Sequence, residues 1–183
     1  ELPVDALVAD GHKWLCGPEG AGFLYLDESF QDVLEPALVG WHSVKSRYEF
    51  ENPRFDLRED AGVVELGSRN TIGLVGLGAS LEVLLDVGLD TIRAQTSDLR
   101  ATLTSMLRER GFDCRHTDWA RDHRSPIVAL DHPDLPEEGV VEKCADWGVQ
   151  LTRRGHRLRV GVHYYNNTDD LERLVRVLGS ILE

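Results

Sequence analysis

The sequence predicts an α/β fold that ends in a small α+β domain, and three observations support this class. An apolar run from Val4 to Ala9 is typical of a parallel strand that is covered on both faces. A helical run from about Ile72 to Val87 is apolar nearly all round, which is typical of a buried helix. Helices and strands then alternate from about residue 88 onward, so the expected domains are residues 1–87 and 88–183.

The composition fits a globular protein and argues against some classes of partner. With 183 residues, 42% of them hydrophobic, the chain can bury a core. The formal net charge of -12 argues against nucleic acid and anionic membranes as partners, and no apolar run reaches the length of a membrane span. The three cysteines are odd in number, far apart and without metal-ligand spacing, which favours a cytoplasmic protein without a metal site.

The first strand leads into the most informative stretch of the chain. It stops at Asp10-Gly11, a pair that favours a turn, and His12 and Lys13 stand just past that edge. A glycine-rich turn and a second short strand, Phe23 to Leu26, follow. Ligands bind outside the carboxyl ends of strands in open α/β sheets, so a lysine here can reach an electrophilic carbonyl. Most lysines at strand ends are simply solvated, however, and a His-Lys pair alone is a weak signal.

The segment from residue 27 to residue 62 is loop-rich and largely aperiodic, which indicates a functional loop or a partner-contact segment. Its aromatic residues Trp41, Phe50 and Phe55 are expected either to line a pocket or to anchor the loop to the core. For each of them taken singly, anchoring is the simpler interpretation.

Three polar residues, Ser68, Asn70 and Thr71, stand at the start of the apolar helix and are all candidate N-caps. A helix N-terminus that follows glycine and hydroxyl residues is also a good site for an anion. From these residues alone, capping is the simpler interpretation.

The second domain is predicted as a regular alternation of helices and strands. An amphipathic helix begins at Asp90, its expected cap, and ends with Arg110 before Gly111. Thr168 is the expected cap of the last helix, whose apolar stripe begins at Leu171. Between them the pattern predicts a strand at Ser125–Leu130, a helix at Glu137–Trp147 and strands at Val149–Thr152 and Arg157–Val162.

Four arginines, Arg153, Arg154, Arg157 and Arg159, cluster in a chain that is otherwise acidic. A solvated hairpin end explains most of them. An arginine that projects from a strand into a cleft is nevertheless well suited to bind a substrate carboxylate, because its planar fork donates two parallel hydrogen bonds.

Three motifs resemble the class-V aminotransferase family, whose members depend on pyridoxal phosphate (PLP). The first is the apolar strand with Gly11-His12-Lys13, followed by Gly20-Ala21-Gly22. The second is Gly67-Ser68-Arg69-Asn70 before the apolar helix, and the third is LRVGVHYYN, from Leu158 to Asn166, ahead of the closing helix. The family usually has a small residue where this chain has Asp10, and a carboxylate at that position repels a phosphate.

The resemblance implies a fold type I enzyme, here as its C-terminal portion. Residues 1–87 are then the end of the cofactor-binding large domain, whose sheet is mixed and mostly parallel, and residues 88–183 are the small domain. The family resemblance also implies a homodimer with the active site at the interface and a small amino acid as substrate. Taken alone, the chain is expected to have little or no activity, because residues that contact the pyridine ring precede the lysine in the family.

The resemblance also assigns the site residues. Lys13 would bind PLP as a Schiff base and move a proton as base and acid. His12 would help to hold the cofactor phosphate, and Ser68 would reach the phosphate of the partner subunit's cofactor. Arg159 would anchor the substrate carboxylate.

Alternatives remain open. Cysteine desulfurases of the family have a nucleophilic cysteine just before the arginine strand, but no cysteine lies between Val149 and Arg159, and Cys144 is expected to be a packing residue. The pattern therefore disfavours a persulfide-forming desulfurase and is closer to an aminotransferase or isopenicillin N epimerase-like enzyme, with a cysteine desulfurase or C–S lyase of the family as the alternative. Asp10 favours a third interpretation, a non-catalytic interaction domain that keeps the fold without the cofactor.

Overall fold

The computed structural model describes residues 3–115, 119–120 and 124–183. The chain forms two compact units, Glu1–Asp86 and Val87–Glu183. Both contain strands and helices, as the predicted α/β class requires.

The first unit begins with an antiparallel pair of strands. Strand β1, Ala6–Asp10, pairs with strand β2, Gly22–Leu26, so that Asp10 lies opposite Gly22. The short connection reverses the chain direction, whereas a parallel pair needs a crossover of roughly a dozen residues or more. The expectation of a parallel strand covered on both faces is therefore wrong for the pairing within the described residues, and Val8 is 77% exposed.

The stretch between the second strand and the apolar helix holds little regular structure. Helix α1 covers Glu28–Gln31 and a single 3-10 turn covers Ala61–Val64. Trp41, Phe50 and Phe55 are 45%, 77% and 76% exposed, so none of these aromatic rings is an anchor buried in the core.

Helix α2, Thr71–Val87, confirms the predicted helix but not its complete burial. Leu77 and Leu84 are buried on one face, while Ile72 is 88% exposed and Val75 is 69% exposed. Of the three candidate caps it is Asn70 that caps the helix, because its Oδ1 accepts the Gly73 N–H at 3.0 Å.

The second unit packs helices against an antiparallel sheet. The strands are β3 (Asp113–Cys114), β4 (Ile127–Asp131), β5 (Thr152–Arg154) and β6 (Arg157–Gly161), and the helices are α3 (Leu89–Arg108), α4 (Val140–Asp146) and α5 (Thr168–Leu182). The strands form a sheet of the order β3-β4-β6-β5, and helices α3 and α5 contact each other.

Several ends of these elements differ from the predicted ones. Gly88, not Asp90, is the N-cap of α3, and β5 begins at Thr152, so that most of the strand predicted before it is not a strand. Asn167, not Thr168, caps α5, since its side chain accepts the Asp170 N–H while the Asp170 carboxylate accepts the Asn167 N–H. Asn167 is the cap instead of Thr168 because these two reciprocal hydrogen bonds satisfy backbone N–H groups at the start of the helix.

No single helix in the described ranges has the length and apolar character to cross a membrane. Helices α2 and α3 have the necessary length and apolar composition only when they are taken together, and the chain bends by 78° between them.

The predicted apolar stripe of α5 is confirmed as part of the core of the second unit. Leu178 has no exposed surface. Truncating it to alanine removes buried methyl groups and leaves a cavity, so we expect Leu178→Ala to lower the free energy of unfolding by about 2–5 kcal/mol in a urea titration. The control is Leu89→Ala at the exposed start of α3, where Leu89 is 63% exposed and the expected loss is below about 0.5 kcal/mol. Equal losses in the two variants would contradict this core.

Candidate active site

Lys13 lies in a loop that folds back on itself between β1 and β2. The Gly11 N–H donates to the Ala21 carbonyl at 2.8 Å, and the Gly17 N–H donates to the Gly11 carbonyl at 2.8 Å. The carbonyl of Lys13 accepts the Cys16 N–H at 3.1 Å, which closes a tight turn around the lysine. The backbone of the lysine is therefore fixed, although its side chain is 63% exposed.

The Lys13 amine donates a hydrogen bond to the Asp10 carboxylate at the end of β1. This hydrogen bond is the main reason why the pKa of Asp10 lies below its usual value, and the charge of Lys13 adds to the effect. Asp10, which stands where the family usually has a small residue, is therefore the counter-charge of the candidate catalytic lysine in this structure.

Helix α2 holds both sides of the lysine loop. The Asn70 Nδ2 donates to the Gly20 carbonyl at 3.0 Å, while its Oδ1 caps the helix. Further along the helix, the Ser80 hydroxyl donates to the Leu15 carbonyl at 2.7 Å. The local sequence pattern predicts Asn70 only as a helix cap and gives Ser80 no role, since it does not indicate a contact with so distant a segment.

His12 and Ser68, the expected phosphate-holding residues, are both exposed. His12 and Asp10 line an open depression of about 800 Å³ beside β2 and the 3-10 turn. Ser68 does not line this depression; it lies two residues before Asn70, whose side chain contacts the glycine-rich turn. The structure thus places His12 and Lys13 in one turn. Ser68 is close in sequence to Asn70, whose side chain contacts the glycine-rich part of the same loop.

Arg159 lies at the centre of β6, in the second unit. Its backbone partners are Ala129 on β4 and Thr152 on β5. Leu158 and Val160, on either side of it, are buried in the core, so alternation along the strand directs Arg159 to the opposite face of the sheet. Arg159 is half-buried, and its guanidinium has no ion pair or side-chain hydrogen bond with any residue that the structure describes.

The neighbouring arginines differ from Arg159 in their contacts. Arg157 forms an ion pair with Asp113 at 2.7 Å, and Arg153 donates to the Pro136 carbonyl at 2.8 Å. Arg154 is exposed at the end of β5. Arg153 and Arg157 therefore have structural partners, so a solvated hairpin end describes Arg154 but not these two. Arg159 is half-buried without such a partner among the described residues, and its fork can receive a ligand.

The cysteines do not provide an obvious nucleophile. Cys144 in α4 and Cys114 in β3 are buried, and burial raises the pKa of both thiols, which disfavours the reactive thiolate. The packing role predicted for Cys144 agrees with its complete burial. Cys16, in the turn after Lys13, is the exposed cysteine.

These residues fit PLP by the chemistry of their side chains. Lys13 offers an accessible primary amine for covalent attachment to an aldehyde, on a backbone that is fixed on both sides. His12 and Ser68 offer exposed hydrogen-bond donors for a phosphate. No described group of three or more His, Cys, Asp or Glu side chains is arranged to hold a metal ion.

Comparison with known proteins agrees with these observations. The profile of the family described as "Aminotransferase class-V" matches residues 1–177. A probable cysteine desulfurase of Pyrococcus abyssi is 26% identical over 100% of this chain and 48% of its own length. Isopenicillin N epimerase of Amycolatopsis lactamdurans is 26% identical over 98% of this chain and 48% of its own length. Each relative thus aligns with nearly the whole chain.

The fold is also that of a solved PLP protein. A C-DES variant with glycine covalently linked to its PLP cofactor superposes with a TM-score of 0.87 and 21% identity, over 98% of this chain and 47% of that one. The chain spans about half the length of the curated relatives that it matches. With a family match over nearly all of its residues, the chain belongs to the class-V aminotransferase family of PLP-dependent enzymes.

Proposed function

We propose that this chain is the C-terminal part of a PLP-dependent enzyme that acts at the alpha carbon of a small amino acid, as an aminotransferase or an epimerase. The observation that supports it most is Lys13, an accessible lysine in a fixed glycine-rich turn, within a class-V match over residues 1–177. When bound, PLP supplies an electron sink for the alpha carbon of an attached amino acid.

Lys13 has two tasks in this proposal. Its amine would be the attachment point for the cofactor aldehyde and, when free, would carry a proton to or from the substrate's alpha carbon. Because the amine donates to Asp10, that ion pair must open before the amine can act as a nucleophile. The exposure of both side chains makes this opening inexpensive.

His12 and Ser68 hold the phosphate in this proposal. Neither side chain is buried, so each can donate to phosphate oxygens without breaking a core contact. We place Ser68 at the cofactor of a second copy of the protein, so the enzyme is proposed to be a homodimer. The Asp10 carboxylate repels an arriving phosphate less while the ion pair with Lys13 is closed, and more once that pair has opened.

Arg159 binds the substrate carboxylate. Its fork donates two parallel hydrogen bonds to the carboxylate, which fixes the orientation of the substrate as well as its position. The orientation of the substrate decides which bond at the alpha carbon is broken. The positions at which the protein can then deliver protons decide among transamination, racemisation and elimination.

Absorption spectroscopy of the full-length protein tests the proposal. We expect the protein to bind added PLP and to show a visible absorption band that changes when an amino acid is added. Amino acids are then compared for oxo-acid formation and for loss of optical purity, which separates transamination from epimerisation. A colourless protein that does not take up PLP would reject the enzyme and favour the non-catalytic interaction domain.

A cysteine desulfurase or C–S lyase is the second candidate, because the P. abyssi relative is a probable cysteine desulfurase. A persulfide-forming desulfurase needs a reactive thiolate, and two of the three cysteines are buried. We therefore expect Cys16→Ser to leave turnover of any accepted amino acid within about twofold of wild type. Release of sulfide and alanine from cysteine that disappears in Cys16→Ser would instead establish the desulfurase. Release of sulfide with pyruvate, unaffected by the substitution, would establish the lyase.

A further inference from the structure

The proposed function leaves open what fixes the Lys13 amine, since the lysine itself is exposed and, among the residues that the structure describes, its side chain forms an ion pair with Asp10 alone. The answer lies in α2, which contributes side chains to both halves of the lysine loop. Asn70, at the start of the helix, bonds to the Gly20 carbonyl, and Ser80, about halfway along it, bonds to the Leu15 carbonyl.

The bond from Ser80 is the closer of the two to the lysine. Leu15 lies within the turn that is closed by the Cys16 N–H and the Lys13 carbonyl. Cys16 has a φ of 54°, a backbone region that non-glycine residues rarely adopt. A turn with such a residue is not favoured by itself, so the hydroxyl of Ser80 helps to hold it in this shape.

Packing against α2 supports the same conclusion. A Cβ at Gly17 would approach the Leu77 Cδ1 to 2.8 Å, and a Cβ at Gly11 would approach the same atom to 3.1 Å. Leu77 is itself buried, so it has little room to move away. The helix and the loop therefore touch without space for a side chain between them, and the position of one determines that of the other.

We propose that Asn70 and Ser80 are positioning residues for PLP attachment, which set the place of the Lys13 amine by holding the lysine loop on α2. This inference rests on the proposed function. It predicts that breaking either hydrogen bond loosens the loop and weakens the attachment of PLP, while α2 and the rest of the fold persist.

The chain offers matched variants for the test. Ser80→Ala removes the hydroxyl, and Ser80→Thr restores one at the same position. Asn70→Asp keeps an oxygen acceptor for the helix cap but removes the amide donor to Gly20, so it separates capping from loop binding. The control is Ser180→Ala, because the Ser180 hydroxyl donates within its own helix, to the Val177 carbonyl at 2.8 Å.

The first measurement is hydrogen exchange of the Gly17 amide in the full-length protein without PLP, with amides of α5 as the internal reference. Loss of one hydrogen bond corresponds to an increase of about fivefold in local opening, so we expect that increase at Gly17 in Ser80→Ala and Asn70→Asp. Ser80→Thr and Ser180→Ala are expected to exchange like wild type. Unchanged exchange at Gly17 in Ser80→Ala and Asn70→Asp overturns the proposal.

The second measurement is the PLP dissociation constant and the pH midpoint of the visible band. We expect the dissociation constant to rise about fivefold in Ser80→Ala and Asn70→Asp, and the midpoint to shift by about 0.5 pH unit. Faster exchange at Gly17 without either change would show that the loop is held but the amine is not positioned, which also overturns the proposal. If wild type itself fails to bind PLP, the proposed function fails, and the exchange data still show whether α2 holds the loop.

Discussion

Replacing Lys13 by alanine is expected to abolish the visible band of bound PLP and to lower turnover by at least about 10³-fold. The amine is both the covalent attachment point and the proton carrier in the proposed mechanism, so one substitution removes two functions. The side chain is exposed and makes one ion pair, so the loss of stability is expected to be small. Spectra, turnover and a urea titration of the same preparation measure all three effects.

The other lysines of the chain are natural controls. Lys45 forms ion pairs with Glu59 at 2.6 Å and with Asp56 at 3.8 Å, and Lys143 lies in α4. Lys45→Ala and Lys143→Ala are expected to leave the colour and the turnover unchanged. A coloured, active Lys13→Ala variant would exclude Lys13 as the attachment point.

Replacing Arg159 by alanine is expected to lower kcat/KM for the amino acid about 100-fold, since two charge-assisted hydrogen bonds to the carboxylate are lost. Arg159→Lys restores the charge but not the fork, so we expect it to recover only part of this loss. Because the guanidinium makes no ion pair with the described residues, its removal leaves no buried partner unsatisfied. Steady-state kinetics on the best amino acid substrate and on its amide, which lacks the carboxylate charge, measure the effect.

The control for Arg159 is Arg154, an exposed arginine in the same cluster. Arg154→Ala removes the same charge from the same region and is expected to change kcat/KM by less than about twofold. The difference between wild type and Arg159→Ala should nearly disappear with the amide substrate. Equal losses in Arg154→Ala and Arg159→Ala would mean that the cluster acts through its overall charge and not through one fork.

The order of helices and strands could be predicted from periodicity, but their partners could not. The apolar pattern of α2 gave the helix nearly to the residue, yet the same pattern cannot show which faces are covered, and Ile72 is 88% exposed. The run that forms β1 indicated a strand correctly and its pairing wrongly, because pairing depends on the connection and on neighbours elsewhere in the chain.

The ends of elements depend on single side-chain contacts that sequence patterns only suggest. Asn167 and Thr168 are adjacent candidate caps, and the choice between them follows from the reciprocal bonds with Asp170. The short strand β3 has only two residues, too few for any periodicity. Such elements exist because neighbouring strands bind them, not because their own residues favour them.

Short motifs indicate the site residues, and the structure adds contacts that these motifs do not contain. Asn70 and Ser80 bind carbonyls that lie 50 and 65 residues away in sequence, so no local pattern could reveal them. The ion pair joins Asp10 to Lys13, three residues later, whereas the sequence pattern indicates a turn at Asp10 and repulsion of a phosphate but not this pair. Arg159 was distinguished from its neighbours by resemblance alone, whereas its lack of a described partner becomes visible only in the folded strand.

Reduction of the PLP-bound full-length protein with borohydride, followed by peptide mapping, tests the central claim most directly. The reagent makes the bond between lysine and cofactor permanent, so the modified residue can be read from the mass of its peptide. The three lysines of this chain, Lys13, Lys45 and Lys143, give distinct peptides. The account predicts a single label on Lys13; a label on any other residue, or none at all, would contradict it.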